Sequence, residues 1–157
     1  MNQKQIVDEV QAAFGEKISE VDLECLEPHF RVAPEDWPEV ARFLRDHCGL
    51  NHLSCLTAID RGDDLEAVYN VERMDEERAG IAVFVKVPRE DPRIPSVESV
   101  WRTADWHERE AWDLMGIVFT GHPHLKRILC AEDWEGHPLR KDYRSPDHYH
   151  GIRNNVV

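Results

Sequence analysis

Three apolar runs of strand length stand between Leu53 and Val87, and the links between them are too short to do anything but turn the chain back. The runs are LSCLTAI (53–59), LEAVYNV (65–71) and GIAVFVKV (80–87). A parallel pairing needs a crossover of about a dozen residues or more. The connections Arg61–Asp64 and Met74–Ala79 are short, polar and charged, as hairpin loops are. An antiparallel three-stranded meander is therefore expected. In its middle run Leu65, Ala67, Tyr69 and Val71 alternate with Glu66 and Asn70, which predicts the first set inward and the second outward. The third run is apolar almost throughout and is expected near the centre of the sheet.

The flanking segments supply helices. Ile6, Val7, Val10 and Phe14 recur at helical spacing before Gly15, which predicts a helix over 3–14. Two short alternating pieces follow, Ile18–Leu23 and His29–Val32, divided by Glu27-Pro28. Trp37, Val40, Ala41, Leu44 and Cys48 share one helical stripe, with Pro34 and Pro38 near its start, acidic residues in its first turn and Gly49 at its end. Pro88, Pro92 and Pro95 make an extended crossing. Asp105 and Glu108 form a D-x-x-E capping pattern for a helix over 105–115, closed by Gly116. The order helix, two strands, helix, meander, helix packs as an α+β fold, a mixed or antiparallel sheet with helices on one face. Residues 1–121 are read as that domain. Residues 122–157 lack regular periodicity and are read as an extended, irregular C-terminal arm, costly to order unless it lies on its own domain or a partner orders it.

The 157 residues carry 19 basic and 31 acidic groups, a formal net of −12, which argues against nucleic acid and an anionic lipid surface. The excess is concentrated in residues 1–60, at −7, whereas 126–144 carry five basic and four acidic groups. The C-terminal end is thus the expected joint and the acidic domain the exposed side. The longest stretches without Asp, Glu, Lys or Arg, His47–Ile59 and Leu114–Leu125, are 13 and 12 residues, short of the ~20 that span a bilayer. Direct membrane insertion is not expected, and residues 1–14 offer no apolar signal core. Cys25, Cys48, Cys55 and Cys130 show no Cys-x-x-Cys pair, so iron–sulfur or zinc-finger ligation is not indicated and reduced, buried thiols in a cytosolic protein are expected.

The region Trp106–Tyr143 is the most specific part of the chain. It holds Glu108-Arg109-Glu110, Asp113-Leu114-Met115-Gly116-Ile117, Phe119-x-Gly121-His122-Pro123, Leu125-Lys126-Arg127-Ile128-Leu129 and the run DWEGHPLRKDY from Asp133 to Tyr143. These elements resemble the signature of the 30-kDa-type subunit of proton-pumping NADH:quinone oxidoreductase, respiratory complex I, known in bacteria as the C-type subunit. Val85-Lys86-Val87-Pro88, Pro95-Ser96-Val97 and Leu56-Thr57-Ala58-Ile59-Asp60 resemble the same family upstream, so the likeness covers about residues 35–146. Two departures stand out. Arg144-Ser145 precede Pro146 where members often have proline at once, and the sequence ends at Val157, without the long extensions or the subunit fusion of some members.

The resemblance implies an accessory subunit of the peripheral arm, an oxidoreductase and translocase component with no catalytic residue, cofactor or metal of its own. NADH, FMN, Fe–S clusters and quinone would be held by partner subunits. The partners implied are the 49-kDa-type subunit and the small Fe–S subunit of the complex, on the cytoplasmic side of the bacterial inner membrane. The motif residues expected at that interface are Glu108, Arg109, Gly121, His122, Pro123, Arg127, Trp134, Gly136, His137, Pro138, Arg140, Lys141, Asp142 and Tyr143. Glycine and His-Pro units make rigid turns, aromatic residues supply interface centres, and Arg–carboxylate pairs become specific when buried. Trp112 is read as core and Trp134 as a partner contact. Arg140 is expected to serve assembly and not the domain's own stability.

Other functions draw less support. The complete motif favours the NADH enzyme over related membrane-bound hydrogenase or F420H2 dehydrogenase complexes, which use a similar subunit. A small stand-alone metalloenzyme would rest on His122 and His124 or on His148 and His150, with Asp147. Their i, i+2 spacing suits two ligands only on an extended strand, and solvated histidines in turns are the favoured reading. No serine or cysteine sits in a nucleophile elbow. His107, Glu108 and Glu110 point in different directions on a helix and do not make an acid–base pair.

Overall fold

The structure, a computed structural model, describes residues 1–75 and 79–154. In chain order it runs α1 (Gln3–Phe14), β1 (Ile18–Asp22), β2 (His29–Val32), α2 (Trp37–Asp46), β3 (His52–Asp60), β4 (Asp64–Glu72), β5 (Gly80–Pro88), β6 (Arg93–Pro95), α3 (Ala104–Met115), β7 (Val118–Thr120), β8 (His148–Tyr149) and β9 (Ile152–Arg153). The expected meander is β3–β4–β5, with Tyr69 opposite Leu56 on one side and Val83 on the other. Part of the second expected hairpin loop, residues 76–78, and the last three residues of the arm lie outside the described residues.

The five-stranded sheet has the order β1-β2-β5-β4-β3, and the parallel pairing of β2 with β5 makes it mixed. α2 and the meander's first two strands supply the crossover that a parallel pair requires. β5 lies at the centre, as its apolar run demands. Leu65, Ala67, Tyr69 and Val71 of β4, with Phe30, Val32, Val83 and Val85, form the face packed by the helices. Trp37 opens α2 and lies 4.5 Å from the Tyr69 ring, centroid to centroid. Trp101 lies 6.0 Å from the Trp37 ring and donates its indole N–H to the Leu50 carbonyl. α1 starts with a capping box between Asn2 and Gln5. No helix among the described residues is long and apolar enough to cross a membrane.

Three local expectations change. Glu66 sits on the opposite face from the core, as its alternation requires, yet only 1% of it is exposed. Arg31 of β2 reaches it at 2.6 Å and Arg61 at 2.8 Å, so two guanidinium groups cover what was expected to be open carboxylate. Asp105 does not cap α3. Thr103 precedes the helix without a side-chain cap bond, and Glu108 turns into the core instead of back to the N-terminus. The thiols are not uniformly buried either. Cys48 is buried, Cys25 and Cys130 are half-buried, and Cys55 is exposed on β3.

Candidate functional site

α3 is a helix with two working faces. Ala104, Glu108, Ala111 and Met115, spaced by three or four residues, turn toward the sheet and are buried. Arg109, Trp112 and Asp113 lie on the other side, under the arm. Gly116 ends the helix in the left-handed region at φ 76° and donates its N–H to the Trp112 carbonyl.

The arm is seated through backbone groups. Asp113 Oδ2 accepts the N–H groups of Ile128, Leu129 and Cys130 at 2.9, 2.8 and 2.8 Å. Arg127 Nη1 donates to Asp113 Oδ1 at 2.7 Å, while Nη2 donates to the carbonyls of Trp134 at 2.7 Å and Gly136 at 3.0 Å. The Arg127 guanidinium also lies over the Trp112 ring. Burial pushes the Asp113 carboxyl up, but the N–H of Cys130, the Arg127 guanidinium and the N–H groups of Ile128 and Leu129 outweigh it and hold it well below the usual range.

The His-Pro-Leu-Arg run then satisfies the end of α3. The last carbonyls of a helix have no partner within it. Here His137 Nδ1 donates to the Asp113 carbonyl at 3.0 Å, Leu139 N–H to Leu114 at 3.0 Å, and Arg140 Nε to Met115 at 2.7 Å. A Cβ on Gly116 would lie 2.5 Å from His137 Cδ2 and 2.6 Å from Arg140 Nη2, so glycine is required there by contact as well as by φ. One residue on, Lys141 N–H donates to Asp60 Oδ2 at 2.8 Å. Asp60, at the end of β3, also accepts from Gly62 N–H and from Arg89, which reaches Asp142 with its other terminal nitrogen.

A second cluster lies at the start of α3. Glu108 is fully buried. Its carboxylate accepts the Ser96 hydroxyl at 2.5 Å and the Val97 N–H at 2.8 Å. Burial pushes its pKa up to about 7, with Ser96 and Val97 opposing and Glu98 and Asp105 adding to the rise. The side chain of His122 is enclosed beside it. Nδ1 accepts the His124 N–H at 3.0 Å, so Nε2 carries the hydrogen and donates to the Asp105 carbonyl at 3.1 Å.

The motif residues thus act largely within the chain. Arg109 Nε donates to the Lys126 carbonyl at 3.3 Å and its guanidinium lies over Trp106. Gly121 supplies a positive φ before the exposed Pro123. Gly136, also at positive φ, lies under the Tyr143 ring, and Pro138 is half-buried. The Trp134 ring packs on Tyr149, whose hydroxyl donates to Asp133, itself 2.6 Å from His150. Trp112 is half-buried against the core, as expected. Glu108 faces the interior and is not on the arm's surface, and Arg140 donates from Nε to the last turn of α3 within the chain. Asp60, Arg89, Ser96 and Asp113 complete the latch and were not among the expected site residues. Asp113, Asp60 and Ser96 each carried a signal, a place inside an element that resembles the family, whereas Arg89 carried none.

Around this seat lie exposed apolar side chains: Trp106 is 64% exposed, Leu129 64% and Leu139 61%. Leu139 borders a groove between β3 and α3 lined by Ala58, Leu114, Met115 and Lys141. The arrangement is a rigid display of carbonyl-bonded turns and apolar side chains, suited to docking a protein surface.

Residues 30–149 match the family model of the respiratory-chain NADH dehydrogenase 30 kDa subunit. The chain belongs to that family. It is 46% identical over 151 residues to the C-type subunit of the NADH-quinone oxidoreductase of Chlorobium phaeobacteroides, covering 93% of this chain and 91% of the relative. It is also 46% identical over 148 residues to the corresponding NADH-quinone oxidoreductase subunit of Chloroherpeton thalassium, covering 92% of this chain but 62% of that longer protein. A trypsin-resistant fragment of Nqo5 superposes with a TM-score of 0.67 at 30% identity, over 80% of this chain and all of the fragment. A chain of an archaeal membrane-bound sulfane sulfur reductase shares the fold, with a TM-score of 0.75 at 22% identity over 90% of this chain and 85% of that one.

Proposed function

We propose that this chain is an accessory subunit of the peripheral arm of a proton-translocating NADH:quinone oxidoreductase, bracing the quinone-reducing module beside the 49-kDa-type subunit and the small Fe–S subunit. NADH, FMN, Fe–S clusters and quinone belong to partner subunits, and the complex sits on the cytoplasmic side of the bacterial inner membrane. Family membership supports the assignment to this enzyme. The observation that carries the scaffold role is the use made of the motif. Asp113, Arg127, His137, Arg140 and the N–H of Lys141 are committed to holding arm and domain together. What they hold rigid is a display of Leu129, Leu139 and Trp106 to solvent. Preorganising such a surface lowers the ordering cost of association.

Co-expression with the 49-kDa-type and small Fe–S subunits tests the reading. The tagged chain is expected to co-purify with both. Leu139→Asp combined with Lys141→Glu, two exposed side chains, is expected to abolish co-purification while the far-UV circular dichroism and melting temperature of the lone chain stay unchanged. Co-purification undiminished by the double variant would place the interface elsewhere, and none with the native chain would refute the assignment.

A further inference from the structure

The turn between β1 and β2 brings together three side chains that none of the latch uses. Asp22, Cys25 and His29 each offer one ligand atom, and all three atoms lie within 4.8 Å of one another. Among the described residues it is the one such grouping of histidine, cysteine and carboxylate donors. Neither His122 with His124 nor His148 with His150 gathers a third ligand there.

Within the cluster the thiol and the imidazole stand at the distance of two ligands on one ion. Cys25 Sγ lies 3.4 Å from His29 Nδ1, and both atoms converge on the Glu27 carbonyl oxygen, at 2.9 and 3.1 Å. With the hydrogen on Nδ1, imidazole and thiol both donate to Glu27 and the Sγ···Nδ1 approach is a weak shared contact; with it on Nε2, the thiol has one hydrogen for two acceptors and Nδ1 faces the Glu27 carbonyl lone pair to lone pair. A cation taking the place of these hydrogens uses thiolate, imidazole and carbonyl as donors together. With metal–sulfur and metal–nitrogen bonds of about 2.3 and 2.0–2.1 Å, a tetrahedral centre sets its S···N edge at about 3.5 Å. Asp22 supplies the anionic oxygen. Its Oδ1 accepts the N–H groups of Glu24 and Cys25 at 2.9 and 3.2 Å, which orients the carboxylate over the turn.

Thiolate, imidazole and carboxylate together select a borderline-soft divalent ion over calcium or magnesium. We propose that Asp22, Cys25 and His29, with the Glu27 carbonyl as the fourth donor, bind a zinc-class divalent cation that clamps the β1–β2 turn. Binding displaces the thiol proton and forms the metal–thiolate bond, with no redox change. The clamp joins the last residue of β1 to the first of β2, and the His29 ring in turn packs at a tilt on Phe84 of β5, 4.8 Å between centroids. The turn carries Leu26, 98% exposed, so the ion fixes how that side chain is presented.

Cobalt titration of the reduced, metal-stripped full chain is the test, with Co2+ as the probe and Zn2+ as competitor. The expected result is one equivalent of Co2+ giving a thiolate-to-cobalt charge-transfer band with tetrahedral visible bands, displaced by Zn2+. Cys25→Ser should abolish the charge-transfer band and Cys55→Ser should keep it. Asp22→Asn should weaken Co2+ binding at least about tenfold, while the metal-free melting temperature of all three variants matches the native chain. No charge-transfer band at saturating Co2+, a band that survives Cys25→Ser, or an affinity indifferent to Asp22→Asn would each overturn the site. Co-purification with the partner subunits is a separate readout, so failure of the metal site leaves the assembly reading standing.

Discussion

Arg127 and Asp113 meet at 2.7 Å at the end of α3, and this one ion pair ties five backbone groups of the arm. Asp113 gathers three consecutive N–H groups, and Arg127 gathers two carbonyls beyond them. Neither residue has a side chain left over for another task. The expected consequence is a coupled loss. Asp113→Ala strands three amides and a guanidinium and should cost about 3–5 kcal/mol in urea unfolding, in the range for breaking a buried pair. Arg127→Lys should lose the forked geometry and expose residues 128–136 to limited proteolysis. The acid limb follows from the same bonds. The Asp113 pKa is lowered in the folded state, so its contribution is present above the unfolded value near 3.8 and is lost as pH falls through the folded one. Asp113→Asn should flatten the decline in stability below about pH 4, read by unfolding at stepped pH.

Gly116 and Gly121 separate backbone strain from contact. Both have positive φ, 76° and 83°, but only Gly116 has His137 and Arg140 against the missing Cβ. Gly121→Ala should cost about 1 kcal/mol for the left-handed backbone alone. Gly116→Ala should cost more and also lift the arm, seen as faster hydrogen exchange at Leu139 and Arg140 N–H. Equal costs with an undisturbed arm would contradict the contact.

Asp60 ties the arm to the sheet independently of α3. It accepts from Lys141 N–H and from Arg89, and Arg89 holds Asp142. Asp60→Ala is therefore expected to raise hydrogen exchange at residues 140–143 while 128–130, bonded to Asp113, keep their protection. Exchange rising uniformly along the arm would show one cooperative latch in place of two.

The meander, the two N-terminal helices and α3 were legible because each rests on local periodicity: Tyr69 between Glu66-side and Val71-side neighbours, Trp37 and Leu44 on one stripe, Gly116 at a helix end. The parallel placement of β2 beside β5 was not, since it depends on how α2 crosses the sheet. The motif residues were identifiable, but their roles were not. His137 and Arg140 look like interface groups in one dimension and become a helix cap only when the arm doubles back over Asp113, Leu114 and Met115. Lys141 and Asp60, 81 positions apart, share no local signal at all. Glu108 reads as a capping carboxylate beside Asp105, and it is the packing of Ser96 and Val97 beneath α3 that turns it inward.

That inward carboxylate gives the chain a pH dependence of opposite sign to that of Asp113. Burial raises the Glu108 pKa from about 4.5 to about 7 in the folded state. Its environment consists of Ser96, the Val97 N–H, Glu98, Asp105, His122 at 4.0 Å and the buried Tyr69. The folded state holds the proton more tightly than the unfolded chain does. Its contribution is therefore complete below about pH 4.5 and is lost progressively as pH rises through about 7, by roughly 3 kcal/mol in all. Glu108→Gln keeps an acceptor for Val97 N–H and presents an amide to Ser96, without a charge to bury. The variant should be more stable than the native chain at pH 8, no more stable at pH 4, and free of the slope between. Chemical unfolding at those two pH values decides it: a native-like slope in Glu108→Gln would assign the titration to another group.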